Sequence, residues 1–420
     1  MHILFVTSLF GERAIGGAEA SVDLIARAHV ARGGRATVLS LGDRERRSSR
    51  GGLDHREIPL ANRYWPWDRR PRSAVERLDW HARDAWNPVM AHRVRRAVVE
   101  IRPDLVQFHN LKGFSAAVVP AARRCGVPTV QVCHDYYPAC ARCVMQRGET
   151  PCARPCRECR IFSAPGRRAS RRHDAAIGVG REMFDRLLAA GCFAGVPRLG
   201  VIADPVALPD RGSYAGGRPA EAPGAPLRLG FMGRLEPVKG LETLIDALAR
   251  LPRGTARLAV AGTGEAGYLD GLRRRAEGLP VTFLGHRPAA DVLDGLDLMV
   301  VPSIWAEPFG RVTAEAQAHG VPVAASAIGG SLDLIEPGRT GFLFPPGDAD
   351  ALAALLRRLA EDPGALAAVA ARARAEAPAR RPHATLDAFH ALWRDILGRR
   401  SATGADRRPE ADALPEGAGR

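Results

Sequence analysis

The feature that most constrains this chain is a repeated alternation of short apolar runs, glycine-containing turns and helix-like stretches. In the first half, the apolar runs predict strands at 3–9, 36–41, 105–109, 129–133 and 175–179. A second series predicts strands at 227–232, 257–261, 281–284, 298–302 and 321–325. Helical stretches lie between them, which favours mostly parallel sheets covered by helices on both faces. The sequence therefore predicts an α/β protein of two doubly wound, Rossmann-like domains.

A change in composition divides the chain. Residues 206–226 are rich in Pro, Gly and Ala, so we expect a linker there between an N-terminal domain over 1–205 and a C-terminal domain over 227–380. A helix is predicted over 381–398, where it could pack back on the N-terminal domain, and a disordered tail over 399–420. Because ligands bind beyond the carboxyl ends of parallel strands, the two domains should face a cleft that holds the site.

Charge and hydropathy narrow the classes of function. The formal net charge is +14, and of 60 Lys and Arg residues only Lys112 and Lys239 are lysine. This balance favours anionic partners, which include nucleic acid, phosphorylated metabolites and an acidic membrane surface. No apolar stretch reaches the ~20 residues of a membrane span. The apolar opening lacks the basic region and the cleavage site of a signal peptide, so we expect it to form a first strand. We therefore expect a cytoplasmic protein, in which the cysteines are reduced.

Two carboxylates form the strongest motif. Glu307 and Glu315 flank the segment PFGRVTA, in which Pro308 and Gly310 suit a turn into a helix. The two carboxylates would then lie roughly 12 Å apart along the helix axis. A ligand with hydroxyls at both ends and an anion in the middle could bridge them, and free N–H groups at Phe309 and Gly310 would face that anion. Taken alone, the pattern also fits a helix whose glutamates are merely solvated.

Cations and glycines follow the first strand of each predicted domain. Arg234 and Lys239 come after the strand 227–232 and before the next helix, where both can bind phosphate, although each alone could be a surface cation. Two cations can neutralise a diphosphate without a divalent ion, so no catalytic metal is expected. Gly16 and Gly17 follow the strand 3–9, where glycine lets the backbone approach phosphate or sugar closely, or simply makes a tight turn.

Taken in order, these motifs resemble the family 4 glycosyltransferases, which are retaining sugar-nucleotide enzymes of GT-B fold. The shared segments are GGAE at 16–19, FMGR at 231–234, KG at 239–240, AGTG at 261–264, FLG at 283–285 and the segment 307–315. The resemblance covers about residues 1–400. It implies that Arg234 and Lys239 hold the donor diphosphate, Glu315 the ribose and Glu307 the hydroxyls of the transferred sugar. It also implies that the backbone at Phe309 and Gly310 contacts phosphate and sugar.

Two histidines end predicted strands on the side of the expected cleft. His134 follows the strand 129–133, and in similar enzymes the later histidine lies beside the reacting sugar. The resemblance therefore implies a place near the anomeric carbon, where His134 positions or polarises rather than attacks. His109 is a candidate for acceptor binding. For each, the alternative is a histidine that only satisfies the end of its strand.

Five cysteines lie within 20 residues, in a predicted insert over 138–160. They are Cys140, Cys143, Cys152, Cys156 and Cys159, with a C-x2-C pair at each end. This spacing is typical of a knuckle in which four thiolates bind one metal ion. A structural zinc is expected, and an iron–sulfur cluster or unliganded thiols are the alternatives. All-thiolate sites tend to be closed, so the cluster is not expected to hold a catalytic metal.

Residues 63–96 mix tryptophans with many arginines. That mixture is typical of helices at a membrane surface, and equally of an amphipathic helix with one solvated face.

The resemblance implies transfer of a hexose from a nucleoside diphosphate sugar to a glycan or lipid-linked hydroxyl acceptor, in cell-envelope or exopolysaccharide synthesis. The alternatives are an epimerase or phosphorylase of the same fold, or a zinc-knuckle nucleic-acid binder. The last leaves the paired glutamates and cations unexplained, so no nucleic-acid partner is expected.

Overall fold

The computed structural model describes residues 1–68, 70–148, 150–207, 225–377 and 382–402. Most of the predicted linker 206–226, and the predicted tail beyond residue 402, lie outside these ranges. The N-terminal strands are β1 (His2–Val6), β2 (Arg35–Gly42), β3 (Arg46–Arg50), β4 (Leu53–Pro59), β5 (Leu105–Phe108), β6 (Thr129–Cys133), the short hairpin β7 (Gln146–Arg147) and β8 (Thr150–Pro151), β9 (Ala175–Gly178) and β10 (Leu199–Val201). Eight of them form one sheet in the order β10-β9-β6-β5-β1-β2-β4-β3, parallel except for β3.

Helices cover both faces of this sheet. They are α1 (Gly17–Ala31), α2 (Ala74–Ala85), α3 (Pro88–Ile101), α4 (Val118–Arg123), α5 (Arg157–Phe162), α6 (Ala164–Ser170) and α7 (Arg181–Ala189). Every residue of β1 is buried, as expected for a parallel strand covered on both sides. A capping box between Ser73 and Glu76 begins α2, and Asn87 followed by Pro88 begins α3, so local sequence defines both helix starts.

The C-terminal domain repeats this architecture. Its strands are β11 (Leu227–Met232), β12 (Ala256–Ala261), β13 (Val281–Gly285), β14 (Leu298–Val301), β15 (Val323–Ser326) and β16 (Phe342–Phe344). Its helices are α8 (Leu241–Ala249), α9 (Ala266–Arg275), α10 (Ala289–Leu293), α11 (Arg311–Ala318), α12 (Ser331–Leu334), α13 (Ala349–Glu361) and α14 (Pro363–Glu376). The all-parallel strand order is β13-β12-β11-β14-β15-β16. The order reverses between β11 and β14, which is where such sheets open a ligand crevice.

The last described helix, α15 (Pro382–Ala402), returns to the N-terminal domain. His390 Nε2 lies 2.9 Å from Nδ1 of His29 on α1, and Thr385 donates to the carbonyl of Ala203 at 3.2 Å. The helix is longer than the predicted 381–398, because residues 399–402, which were expected to belong to a disordered tail, continue it. Its contacts join the end of the chain to the first domain.

The predicted fold class is confirmed, with two doubly wound domains. All ten predicted strands are present, although β1 ends at Val6 rather than at residue 9. Six of the described strands, β3, β4, the hairpin strands β7 and β8, β10 and β16, were not predicted. Within the described ranges, no helix is long and apolar enough to cross a membrane.

Candidate active site

An ion pair joins two of the predicted site residues. Lys239 ends the 3-10 turn Pro237–Lys239, and its Nζ lies 2.9 Å from Oε1 of Glu307, with each side chain 17% exposed. Nζ is also 5.7 Å from the ring centroid of Trp305. Half-buried charges attract each other more strongly than a fully solvated pair. The lysine predicted for phosphate and the carboxylate predicted for sugar therefore meet directly.

Glycines hold the loop that carries Glu307 against its neighbours. Gly240 has a φ of +66°, and a Cβ there would lie 2.0 Å from the carbonyl oxygen of Pro302. On the other side, Gly330 donates its N–H to the carbonyl of Glu307 at 2.7 Å, and a Cβ on Gly330 would lie 2.1 Å from the carbonyl oxygen of Phe309. Backbone is packed against backbone on both sides of the loop, so the position of the carboxylate is fixed by main chain.

The helix α11 begins beside this loop. Gly310 is its N-cap, with a φ of +84°, and among the described side chains none caps the first turn. The N–H groups of that turn therefore offer hydrogen bonds and a partial positive charge to an anion. Glu315 lies one turn along α11, where Nε of Arg311 donates to it at 2.8 Å. The two glutamates of the motif thus lie on either side of a helix N-terminus.

Arg311, which the sequence reasoning missed, connects the two domains. Its Nη1 donates to Ser21 Oγ at 3.2 Å, to the carbonyl of Pro205 at 3.2 Å and to that of Gly17 at 3.5 Å. A Cβ on Gly17 would lie 2.8 Å from Cδ of Arg311, so glycine there allows the close approach. The i,i+4 spacing from Arg311 to Glu315 was the available signal in the sequence.

The glycine loop after β1 is organised by Glu19, a buried carboxylate that is 6% exposed. Burial raises the pKa of Glu19, although backbone N–H groups of Glu19 itself, Gly16 and Ile15 hydrogen-bond to the carboxylate and His134 lies nearby. These loop N–H groups were expected to approach phosphate or sugar. These N–H groups have a partner in Glu19, so Gly16 and Gly17 shape the loop around Glu19 and Arg311.

Arg234 lies at the rim rather than in the interior. Its side chain is 56% exposed, and Nη1 donates to Oε1 of Glu236 at 3.0 Å. An exposed ion pair of this kind contributes little energy. The guanidinium is therefore able to leave Glu236 for a ligand that enters beside Lys239.

A chain of hydrogen bonds runs from α15 to the second histidine. Trp393 Nε1 donates to Oε1 of Gln107 at 2.8 Å, and Nε2 of Gln107 lies 3.2 Å from Nε2 of His109. His109 Nδ1 is 2.7 Å from Nε2 of His134, whose Nδ1 is 3.2 Å from Oδ2 of Asp204. An indole N–H can only donate, which orients the Gln107 amide. Assigned from this network, both histidines carry their proton on Nδ1, and His134 donates to Asp204.

Burial and charge act oppositely on the two histidines. Burial, with help from His134, holds the pKa of His109 well below its usual value. Burial also disfavours the charged form of His134, yet the pKa of His134 is raised because Asp204, Asp135 and Glu19 outweigh it. Both nitrogens of His134 are hydrogen-bonded, which suits a positioning group better than a nucleophile. His109 is 2% exposed and lies behind His134, so it does not suit direct acceptor binding.

The cysteine insert does not present a preformed metal site. Sγ of Cys140 and Sγ of Cys159 are 3.5 Å apart, and all the cysteines are free. In the described parts of the chain, no group of three or more His, Cys, Asp or Glu side chains is arranged to hold a metal ion. The structural zinc therefore stays a prediction.

Known families match both halves of the chain. The family described as Glycosyltransferase Family 4 matches residues 15–202, and the family described as Glycosyl transferases group 1 matches residues 226–362. An uncharacterized 42.6 kDa protein in the cps region of Klebsiella pneumoniae is 27% identical over 344 residues, which cover 80% of this chain and 87% of that protein. The D-inositol 3-phosphate glycosyltransferase of Mycolicibacterium paratuberculosis is 42% identical, but over only 34% of each chain.

Solved structures share the whole architecture. Anabaena HepE in complex with UDP and glucose superposes with a TM-score of 0.68 at 22% identity, covering 94% of this chain and 100% of that one. Sucrose-phosphate synthase from Thermosynechococcus elongatus gives a TM-score of 0.71 at 20% identity, covering 95% and 99% of the two chains. At these identities the likeness establishes the fold, with two domains and a cleft between them.

Proposed function

This chain belongs to the glycosyltransferases, with a family 4 N-terminal half and a group 1 C-terminal half on a GT-B fold, and from that premise we propose that it transfers a hexose from a nucleoside diphosphate sugar to a hydroxyl acceptor with retention of configuration. The observation that carries the proposal is the ion pair between Lys239 and Glu307 beside the uncapped start of α11. A nucleoside diphosphate sugar brings a diphosphate, which can bind Lys239, and sugar hydroxyls, which can bind Glu307.

Donor binding is proposed as an exchange of partners. The diphosphate draws Lys239 away from Glu307, Arg234 swings in from the rim, and the N–H groups at Phe309 and Gly310 complete the anion site. Glu307, released from its lysine, accepts hydrogen bonds from the hydroxyls of the sugar, and Glu315 binds the ribose. Because ion pairs already hold Lys239, Glu307 and Arg234, these side chains are positioned before the donor arrives.

The proposed reaction needs no covalent intermediate. The bond from the anomeric carbon to the phosphate oxygen breaks, the acceptor oxygen forms a new bond on the same face, and the leaving diphosphate takes the acceptor proton. Arg234 and Lys239 stabilise the charge that develops on the diphosphate, while His134 positions the sugar. A divalent ion is not required in this scheme. Activity should therefore survive brief EDTA treatment, and its restoration by Mg²⁺ or Mn²⁺ alone would contradict the scheme.

The acceptor is proposed to be a glycan or lipid-linked glycan of the cell envelope. The relative in a Klebsiella cps region supports that setting. So does a groove of about 530 Å³ lined by residues of α2 and α5, among them Leu78, Arg77 and Phe162. Val75 and Ile161 on the same two helices are 71% and 69% exposed. Apolar side chains beside arginines suit peripheral contact with an acidic membrane surface on the cytoplasmic side.

The tryptophans of residues 63–96 support this surface only in part. Trp80 is 2% exposed, and its Nε1 donates to the carbonyl of Tyr64 at 3.0 Å, so it belongs to the core. The membrane interpretation is wrong for Trp80, because an interfacial tryptophan must reach the surface. The exposed aliphatic side chains of α2 and α5 take its place in the proposal.

The decisive experiment is an assay of slow hydrolysis across UDP-, GDP- and ADP-sugars. One nucleotide sugar should be hydrolysed, and NMR should show that the first sugar released has the anomeric configuration of the donor. Release of the opposite anomer would overturn retention. An epimerised nucleotide sugar, or turnover that requires inorganic phosphate, would identify the epimerase or phosphorylase instead. Salt-sensitive DNA binding without hydrolysis of any donor would favour the nucleic-acid binder.

A further inference from the structure

Lys112, one of only two lysines in the chain, lies in the loop that follows β5. The main chain around it is held in place. Oγ of Ser8 lies 2.8 Å from the carbonyl oxygen of Lys112, and the next N–H, that of Gly113, donates to Asp84 at 2.6 Å. Because β5 runs parallel to its neighbours, this loop lies at the carboxyl edge of the N-terminal sheet, where α/β proteins bind ligands.

Two indole rings lie beside the ammonium group of Lys112. Its Nζ is 5.7 Å from the ring centroid of Trp80 and 5.9 Å from that of Trp67, within the ~6 Å over which an aromatic face attracts a cation. Trp80 is buried on α2, and its ring stacks on that of Tyr64 at 6.0 Å, which holds the loop after β4 in place. Trp67 belongs to the same loop and is only half-buried. One cation and two rings from three separate elements therefore meet here.

The positive charge of Lys112 is available to a ligand. Lys239, the other lysine, forms an ion pair with Glu307, whereas Lys112 forms no ion pair with any residue that the structure describes. The carboxyl groups on which its charge acts are those of Asp84 and Asp135. Burial raises their pKa values to about 7 and about 6, although Lys112 opposes both shifts. A carboxyl group that is partly protonated near neutral pH is a weak counter-ion for the ammonium group.

Lys112 also adjoins the two histidines of the candidate site. It follows His109 by three residues, and Asp135, on which its charge acts, directly follows His134. The lysine assigned to the donor diphosphate lies on the other domain, after β11. Lys112 is therefore placed on the side of the cleft from which the acceptor would reach the transferred sugar.

We propose that Lys112 binds a negatively charged group on the acceptor sugar, a carboxylate or a phosphate, with the half-buried ring of Trp67 against the sugar. This inference rests on the proposed transferase activity and narrows its acceptor to anionic sugars. An ammonium group is a compact charge with three N–H donors, and hydrogen bonds between charged groups are the strong ones. The indole ring excludes water from one side of the ammonium group, which strengthens its attraction for an anion.

The two lysines allow a direct test on the unmodified protein. Full-length wild type labelled with ¹³C at the ε-carbon of lysine should give one NMR signal for Lys112 and one for Lys239, which the variant Lys239→Arg assigns. Methyl glucuronide or methyl glucoside 6-phosphate should shift the Lys112 signal, and neutral methyl glucoside should not. A Lys112 signal that moves with neither charged probe, or equally with the neutral one, would overturn the inference.

The same spectra test the donor site separately. A nucleoside diphosphate should shift the Lys239 signal, because that lysine is proposed to hold the donor diphosphate. If the Lys239 signal ignores UDP, GDP and ADP while the Lys112 signal responds to a charged sugar, the proposed donor site fails and the acceptor subsite stands. The reverse result overturns the acceptor subsite alone.

Affinity measurements with the three sugars, which differ only at the sixth carbon, test the role of the charge. Wild type should bind one charged probe at least ~10-fold more tightly than the neutral one, as expected for hydrogen bonds to a charged group, and added salt should reduce the difference. The charged probe that binds more tightly identifies a carboxylate or a phosphate as the natural group. Equal affinities for all three probes would overturn the inference.

Variants then assign the preference to one side chain. Lys112→Met keeps the aliphatic stem but removes the charge, so it should abolish the preference for the charged probe, and Lys112→Arg should keep part of it. In a transfer assay, Lys112→Met should raise KM for the charged acceptor more than it lowers kcat, since the lost contact lies away from the reacting atoms. Arg124→Met, at an exposed arginine after α4, is the matched control. A preference that survives Lys112→Met would overturn the proposal.

Discussion

The indole N–H of Trp393, on the last described helix, donates to the side-chain oxygen of Gln107 at 2.8 Å. Since Gln107 stands at the start of the chain of hydrogen bonds through His109 to His134, a residue near the C-terminus sets the tautomer of a histidine more than 250 positions earlier in sequence. An imidazolium at His134 would need to donate to His109, which reverses the chain. The indole resists that reversal because it has no acceptor.

Replacing Trp393 by Phe should keep the packed ring but release this constraint. The amide of Gln107 is then free to rotate, and the charged form of His134 loses its penalty. We expect the apparent pKa of His134 to rise by on the order of one unit, since one hydrogen bond contributes about 1 kcal/mol. The pH dependence of kcat, or the imidazole NMR signals, would show it. Trp86→Phe, at a tryptophan that is 49% exposed, is the matched control. An unchanged pH profile would mean that Trp393 only packs.

The cations of the donor site should be separable from its carboxylate. Arg234→Ala and Lys239→Ala should each lower kcat by at least ~10²-fold, the usual effect of losing a group that stabilises developing charge, and should weaken inhibition by the nucleoside diphosphate. Glu307→Gln should lower kcat while inhibition by the nucleotide stays as strong, because Glu307 is assigned to the sugar. Arg253→Ala, at an exposed arginine beyond α8, is the control. Wild-type kcat in both cation variants would disprove the diphosphate assignment.

Asp84 should make stability depend on pH. It is 3% exposed, and burial raises its pKa from 3.8 to about 7, although the N–H of Gly113 and the charge of Lys112 oppose the shift. The folded protein therefore binds this proton more tightly than the unfolded chain does. The resulting stabilisation is complete below pH 4 and is lost as the pH rises through about 7.

The variant Asp84→Asn removes that titration but still accepts the hydrogen bond from Gly113, which is 2.6 Å long. Its melting temperature, relative to wild type, should increase steadily from pH 5 to pH 8. Other titrating groups contribute equally to both proteins, so the difference isolates Asp84. Parallel melting curves across this range would show that Asp84 is ionised throughout.

The sequence predicted the fold well because the strands of parallel sheets are continuous apolar runs. It missed β3 (Arg46–Arg50), in which every residue is exposed and polar, because an antiparallel edge strand gives no apolar signal. It missed β16 (Phe342–Phe344), which has only three residues. Pattern alone cannot distinguish such short or polar strands from loops.

The sequence predicted the site residues that lie together in one segment. It missed the contacts between residues that are distant in sequence and that only the folded chain brings together. Glu307, Gly310 and Glu315 share a turn and a helix, so their relation follows from helix geometry. Asp204, in contrast, reaches His134 from 70 residues away, and Arg311 meets Ser21 across the cleft. No local spacing encodes these partners, because the first pair depends on how the N-terminal domain folds and the second on how the two domains pack.

The last prediction tests that packing. Gly180 is the N-cap of α7, with extended backbone angles (φ −145°, ψ 151°) that suit alanine. A Cβ there would nevertheless lie 2.3 Å from the carbonyl oxygen of Pro308 and 2.8 Å from Oδ2 of Asp333. Both belong to the other domain, and Asp333 accepts the N–H of Arg181 at 2.6 Å. Because a backbone carbonyl cannot turn aside as a side chain can, Gly180→Ala must push the domains apart.

The displaced segment is the turn between Glu307 and Gly310, so the cost should appear in catalysis. A displacement of about 1 Å at reacting groups can lower the rate by ~10²-fold, and we expect kcat/KM for Gly180→Ala to fall by 10- to 100-fold on that scale. Small-angle scattering should show a more open molecule. Gly200→Ala is the control, since a Cβ there meets only the end of the Ile177 side chain, at 3.6 Å. If Gly180→Ala keeps wild-type kcat/KM, the approach of Pro308 to α7 is not part of the active arrangement, and the donor site must form with the domains further apart.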